Sequence, residues 1–280
     1  MALTVLPLRE AVRITHGFVM QSMLCIDQYT IFIRSHRPGK ELMMSEVMNR
    51  RNAVVEDEVH LFFILDNSGS MGGTPIQTLN EAMETVFPAL VNVANSKEVT
   101  AFFHVLAYNT DIHWLCGSTA EQGVPMDQFH WHEISAGGRT NTAGAIRAIL
   151  PGLSQRLLGH KTFRPVIILI TDGESDSFAE TKAAIQELDG KQKTTRIAIG
   201  VQGYNPKELD EFASSGKVVE IDEFGDQVND PVTQKLIFQV ADAQRIAGVI
   251  KSAAISSLVD SVTNPENDEP TIEVPEGGWV

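Results

Sequence analysis

Five oxygen-bearing side chains stand in three short stretches of this chain. Asp66, Ser68 and Ser70 lie in "LDNSGSMGG" (65–73), Thr140 lies in "SAGGRTNTAGAI" (135–146), and Asp172 lies in "ILITDGESD" (168–176). Alone, the first stretch is open to four readings: a polar turn, a nucleophile loop, a phosphate cradle or part of a metal site. A nucleophile elbow needs glycine two residues before and two after its serine. Around Ser70 the first of these is Ser68, and no histidine closely follows. A phosphate cradle of the G-x-x-x-x-G-K-[ST] type needs a lysine after its glycines, and none follows here. The polar turn and the metal site remain. The other two stretches favour the metal, because together the three supply only oxygen donors, two acidic and three neutral. Mg²⁺ takes such donors at roughly 2.0–2.1 Å in an octahedron and keeps several waters. Hydroxyl ligands would leave its charge incompletely neutralised and a coordination position open, which a carboxylate from another molecule fits. Such a site binds a partner without any catalytic base.

For these residues to meet, the elements before them must run side by side. "VHLFFIL" (59–65), "TAFFHVLAY" (100–108), "RPVIILIT" (164–171) and "TTRIAIGV" (194–201) are continuous apolar, β-rich runs, the pattern of strands buried on both faces; "KVVEID" (217–222) is a shorter fifth. Helical patterns lie between them. In "TPIQTLNEAMETVFPALVNVA", Ile76, Leu79, Met83, Val86, Leu90 and Ala94 share one face. Thr74 is predicted as its N-cap with Pro75 at the first helical position and Gln77 completing a capping box, and Pro88 is predicted to kink or break it. "TNTAGAIRAIL", "FAETKAAIQELDG" and "NPKELDEFASSG" read as further helices, with Gly190 and Gly216 as C-terminal stops. A final helix holds Ile246, Val249, Ile250, Ala253 and Leu258. Strands alternating with helices predict an α/β fold, Rossmann-like and doubly wound, with a mostly parallel central sheet flanked by helices. Ligands of such sheets bind beyond the carboxyl ends of the strands. Asp66 and Asp172 follow two of those ends, and the loop 137–141 precedes a helix that starts at the same rim.

The segments "DNSGSM" (66–71), "GGRTNT" (137–142) and "TDGE" (171–174) resemble the three parts of the metal-ion-dependent adhesion site of von Willebrand factor A (VWA) domains, in order and in approximate spacing. The resemblance covers residues 57–262. It implies the VWA fold, with Ser68, Ser70 and Thr140 as hydroxyl ligands and Asp66 and Asp172 as the acidic residues, often acting through water. It implies Mg²⁺, with Mn²⁺ or Ca²⁺ as alternatives. Within the family, "GGTPIQTLNEAM", "RPVIILITDGE" and "IAIGVQGYNPKELDEFA" are similar to the bacterial intracellular branch of the tellurite-resistance protein TerY. That branch implies a non-enzymatic, metal-dependent protein-binding module. It would scaffold a stress-response or defence signalling complex, with an acidic side chain of a protein partner, such as a kinase or PP2C-like phosphatase, completing the metal shell. The alternative is an adaptor subunit of an AAA+ ATPase machine, the ATPase being a separate protein since this chain has no P-loop. A metal-dependent hydrolase ranks below both, because no base stands poised near the serines.

The remaining features fit a cytoplasmic protein. The chain has 280 residues and a formal net charge of -14, which disfavours nucleic acid and anionic membrane as partners. The charge is uneven, for residues 1–55 hold seven Lys/Arg against four Asp/Glu. Two cysteines, Cys25 and Cys116, form no CxxC pair, and Arg9, Glu10 and Arg13 interrupt any apolar leader. No apolar run approaches the ~20 residues of a membrane span. Three parts are expected: an N-terminal extension of unknown role (1–56, with a strand in "QYTIFIR"), the VWA domain (57–262), and an acidic, Pro/Gly-containing mobile tail (263–280). His130 and His132 in "FHWHE" would share a face on a strand but have no further metal ligand near them in sequence. His60 and His104 read as core or edge histidines, Glu174 and Asp176 as a solvated acidic rim, and Arg139 as a solvated cation.

Overall fold

The computed structural model describes residues 4–7, 23–26, 29–32, 57–97, 99–116, 124–154, 161–172, 174–201, 204–240 and 243–276. The chain divides into two units, Met1–Val54 and Val55–Val280. In the first, β1 (Thr4–Pro7), β2 (Met23–Ile26) and β3 (Tyr29–Phe32) form an antiparallel sheet in the order β1-β3-β2. The strand expected in "QYTIFIR" is thus β3, and the other expectations for residues 1–56 lie outside the described residues.

The second unit is an α/β domain built on an eight-stranded sheet. Its strands are β4 (Asp57–Asp66), β5 (Thr100–Tyr108), β6 (Ile112–Trp114), β7 (Val124–Pro125), β8 (Lys161–Thr162), β9 (Val166–Thr171), β10 (Thr195–Val201) and, later in the chain, β13 (Ile237–Val240). The main path runs β13-β10-β9-β4-β5-β6. Its first five strands are mutually parallel and β6 is antiparallel to β5. The register sets Leu61–Leu65 of β4 against Val166–Ile170 of β9, so the two strands end together, with Asp66 the last residue of β4 and Asp172 directly after β9. Long β-branched runs suit this sheet because both faces are covered. On one face Leu61, Phe63 and Leu65 pack with helices α1 (Thr74–Ser96) and α5 (Ala243–Thr263). On the other, Phe62 and Ile64 pack with α2 (Thr142–Ser154), α3 (Phe178–Asp189) and α4 (Pro206–Phe212). Among the described residues, no helix is long and apolar enough to cross a membrane.

The architecture matches the sequence reading, and several details do not. Thr74 is the first residue of α1 rather than its cap; Gly73 caps it without a side-chain hydrogen bond, and Pro75 occupies the first turn. Pro88 leaves α1 unbroken. Both Pro88 and Glu84, whose carbonyl the proline cannot satisfy, face solvent while Phe87 and Leu90 anchor the helix to the core. Gly190 caps α3 as expected, but Gly216 lies within a strand. The run "KVVEID" belongs to β11 (Ser215–Ile221), which is not in the central sheet. It pairs with β12 (Val232–Lys235) antiparallel and with β14 (Thr271–Pro275) parallel, in a separate three-stranded sheet. The central place expected for it is taken by β13. The expected mobile tail is likewise corrected over 271–275, since Ile272 and Val274 in β14 are fully buried and extend the core beneath α5. Apolar residues at alternate positions of an acidic segment are enough to seat a strand.

Candidate metal centre

The rim at the carboxyl ends of β4 and β9 gathers four of the five predicted residues into one chain of hydrogen bonds. The Asp66 Oδ1 accepts from the Ser68 backbone N–H at 2.8 Å. The Ser68 and Ser70 hydroxyls share a hydrogen bond of 3.0 Å. The Ser70 hydroxyl donates to Asp172 Oδ1 at 2.9 Å. The other Asp66 oxygen accepts from the Thr171 hydroxyl at 2.6 Å. Asp66 and Ser68 are almost fully buried, Asp172 is buried, and Ser70 is exposed, so the chain runs from the core out to solvent.

Thr140 stands outside that chain and is brought to the rim by its backbone. Its N–H donates to Asp176 Oδ1 at 3.3 Å, and its carbonyl accepts from the Asp176 N–H at 2.8 Å. The loop carrying Thr140 is tied to the serine loop twice: Gly69 N–H donates to the Gly138 carbonyl at 3.0 Å, and Gly137 N–H to the Asn67 carbonyl at 2.8 Å. Glycine is required where the loops meet. Gly138 has φ of 81°, and a Cβ there would lie 2.9 Å from the Thr110 hydroxyl. A Cβ on Gly69 would come within 3.2 Å of the Gly138 carbonyl oxygen.

Burial pushes the Asp66 carboxyl above the usual carboxylate range, and hydrogen bonds from Thr171, Ser68 and Tyr108 oppose the rise. Asp172 is raised first by burial, lowered by the Ser70 bond, and raised again by repulsion from Asp66. No ion pair among the described residues neutralises either carboxylate. A divalent cation between the two acids would relieve that repulsion, and an all-oxygen donor set of hydroxyls and carboxylates suits a hard cation. The residues present therefore fit Mg²⁺, Mn²⁺ or Ca²⁺. Among the described residues, no group of three or more His, Cys, Asp or Glu is placed to hold a metal, so any affinity must use the hydroxyls. His130 and His132 are exposed in an irregular segment and not on the strand expected for them.

Several supporting residues were not visible in sequence. Asn67 donates from its side chain to the Ser135 carbonyl at 2.9 Å, pinning the second loop. Tyr108, fully buried, stands opposite Asp66 in the β4–β5 register and accepts a 3.4 Å hydrogen bond from the Thr142 hydroxyl at the start of α2. Burial and the Asp66 charge hold its phenol well above its ordinary value, fixing it as a neutral donor. Buried Glu208 accepts from the Ser175 N–H at 3.1 Å and from its hydroxyl at 2.8 Å, anchoring the segment after Asp172. Arg139 is not merely solvated, for its Nε donates to Asp176 Oδ1 at 3.2 Å although its side chain is 74% exposed. The one available sequence signal was position, since Tyr108 ends a strand and Asp176 follows Asp172 by four residues.

The model of the von Willebrand factor type A domain matches residues 60–234, more than half of the chain, and the chain belongs to that family. Among solved structures it is similar to a von Willebrand factor type A protein from Catenulispora acidiphila, at 20% identity and a TM-score of 0.44, covering 69% of this chain and 40% of that one. It is similar to proximal thread matrix protein 1 from the mussel byssus with a zinc-occupied MIDAS motif, at 15% identity and a TM-score of 0.48, covering 72% of this chain and 48% of that one. It is also similar to the manganese-loaded TRAP protein of Plasmodium vivax, at 19% identity and a TM-score of 0.43, covering 68% of this chain and 70% of that one. The chain thus spans less than half the length of the first two.

Proposed function

We propose that Asp66, Ser68, Ser70, Thr140 and Asp172 hold a divalent cation and that the protein is a non-enzymatic, metal-dependent protein-binding module. The observation that carries this reading is the hydrogen-bonded run from buried Asp66 through Ser68 and Ser70 to Asp172, in a family defined by its fold. When bound, Mg²⁺ (or Mn²⁺ or Ca²⁺) supplies an electrophilic centre for a carboxylate from another protein. The chain's own residues set its strength. Three neutral hydroxyls and two acids, one of them almost fully buried, leave room for one more negative ligand. Ser68 bonds to Ser70 and Ser70 donates to Asp172, which supports a ligand role over a nucleophilic one. Glu208 and Asp176 hold the third and second loops in place, so a partner meets a rim that is already assembled.

The sequence resemblance to the tellurite-resistance branch is the sole support for the finer reading: a partner such as a kinase or PP2C-like phosphatase, in a cytoplasmic stress-response complex. The test is capture of partners from native lysate by the full chain in Mg²⁺ and in EDTA, beside Ser70→Ala. Capture should need Mg²⁺ and fail in the variant. Equal capture in all conditions contradicts the proposal.

A further inference from the structure

We propose a second binding site, for a phosphate monoester, at the opposite end of the sheet. A cavity of about 410 Å³ lies where β9 and β10 begin. It is independent of the metal reading, because the residues of the rim stand at the other ends of the same strands. Four cations line it, Arg164, Lys191, Lys193 and Arg196, against two carboxylates, Asp189 and Asp268. The local excess of two positive charges stands in a chain whose formal net charge is -14, and it matches the charge of a phosphate monoester, which is roughly −1.5 to −2 near neutral pH.

The donors are set for an incoming anion. Arg164 donates to the carbonyls of Pro265 and Asn267, neutral partners that orient the guanidinium without cancelling its charge. Lys193 pairs with Asp268 at 2.5 Å, but the two side chains are 78% and 73% exposed, so solvent screens the pair and a ligand can displace it. Arg196 is only 15% exposed, bonded to Asp189 at 2.7 Å. Its Nε is buried with no hydrogen-bond partner, and Phe212 lies beneath the guanidinium. Lys191 forms no ion pair among the described residues. Arginine's planar fork and the lysine ammoniums are the donors that recognise phosphoryl oxygens. The cavity volume falls in the range of roughly 300–1,000 Å³ seen for small-ligand pockets, so it has room for the group bearing the phosphate. That group is either a phosphorylated side chain or a free nucleotide.

The test is NMR titration of the ¹⁵N-labelled full chain with two probes, a Gly-phosphoserine-Gly peptide and AMP, beside Gly-Ser-Gly and adenosine. The expected result is shifts confined to 164, 188–196 and 268 with a phosphorylated probe alone; the tighter of the two names the source. Lys191→Gln/Lys193→Gln, at exposed positions that leave the fold intact, should weaken binding at least about tenfold by removing charge-assisted bonds. Binding should strengthen between about pH 5 and about pH 7.5 as the second phosphate proton leaves. Asp66→Ala should bind the probe like wild type, which separates this site from the metal rim. The proposal is overturned if neither phosphorylated probe binds, if the shifts scatter over the surface, if the unphosphorylated counterparts bind equally, or if the double variant keeps full affinity.

Discussion

The two ends of the central sheet hold charge in opposite ways. At the carboxyl ends of β4 and β9, two acids are buried and the loops around them are joined backbone to backbone, through Gly69–Gly138 and Gly137–Asn67. At the amino ends of β9 and β10, charge sits on long side chains, and the Lys193–Asp268 pair is mostly exposed. The first arrangement fixes oxygen positions to within hydrogen-bond tolerance, which an ion of defined radius demands. The second is adaptable and electrostatic, suited to a diffuse anion. Geometry dictated by backbone and geometry borrowed from flexible side chains should respond differently to substitution.

The largest expected effect breaks neither end. Ile272→Ala in β14 removes a fully buried side chain and should lower unfolding free energy by about 2–5 kcal/mol. Denaturant unfolding measures this, while cation affinity of the folded protein stays unchanged. Next comes pH, read at the beginning of β4. Burial pushes His60 down to about 4, beside His104 at 2.9 Å. The neutral ring is therefore favoured in the fold, and its stability contribution is complete above the ordinary histidine value near 6.5. It is lost as pH falls from there toward 4, by up to about 3 kcal/mol. Urea unfolding across that window should be steeper in pH for wild type than for His60→Asn. The third effect sharpens the rim itself: Ser70→Ala removes a hydroxyl ligand and frees Asp172 from its 2.9 Å partner, and should weaken Mg²⁺ in calorimetry by at least the roughly 10–100-fold of an outer-shell change. The smallest is Tyr108→Phe. Losing the phenol that supports Asp66 and Thr142 should cost about tenfold in cation affinity, the low end for an outer partner, with the fold retained.

The central sheet was legible because a strand buried on both faces is written as a continuous apolar run, as in "VIILIT" of β9. The shared rim of Asp66, Ser68, Ser70 and Asp172 was legible because the carboxyl ends of neighbouring parallel strands converge whatever lies between them in sequence, and Thr140 was placed there by the helix that starts at the same rim. β13 escaped notice because "IFQV" is only four residues long, too short to separate from a turn by periodicity. β14 was hidden by its composition, since Pro, Gly and acids around "TIEVP" outweighed the alternation of Ile272 and Val274. Tyr108, Asn67 and Glu208 were invisible for a different reason: their roles are hydrogen bonds to partners 33 to 68 residues away, and spacing along the chain carries no trace of them. The basic cavity was hidden likewise, because Arg164, Lys193 and Asp268 meet only after α5 returns the chain to that end of the sheet.

The most direct test of the metal reading is calorimetric titration of Mg²⁺ into metal-free wild type and into Asp66→Ala, each first shown to be folded. Wild type should bind one equivalent, and the variant should lose more than the roughly 10–100-fold attached to an outer-shell change. Equal affinity in the two proteins, or no binding to wild type, would contradict the account.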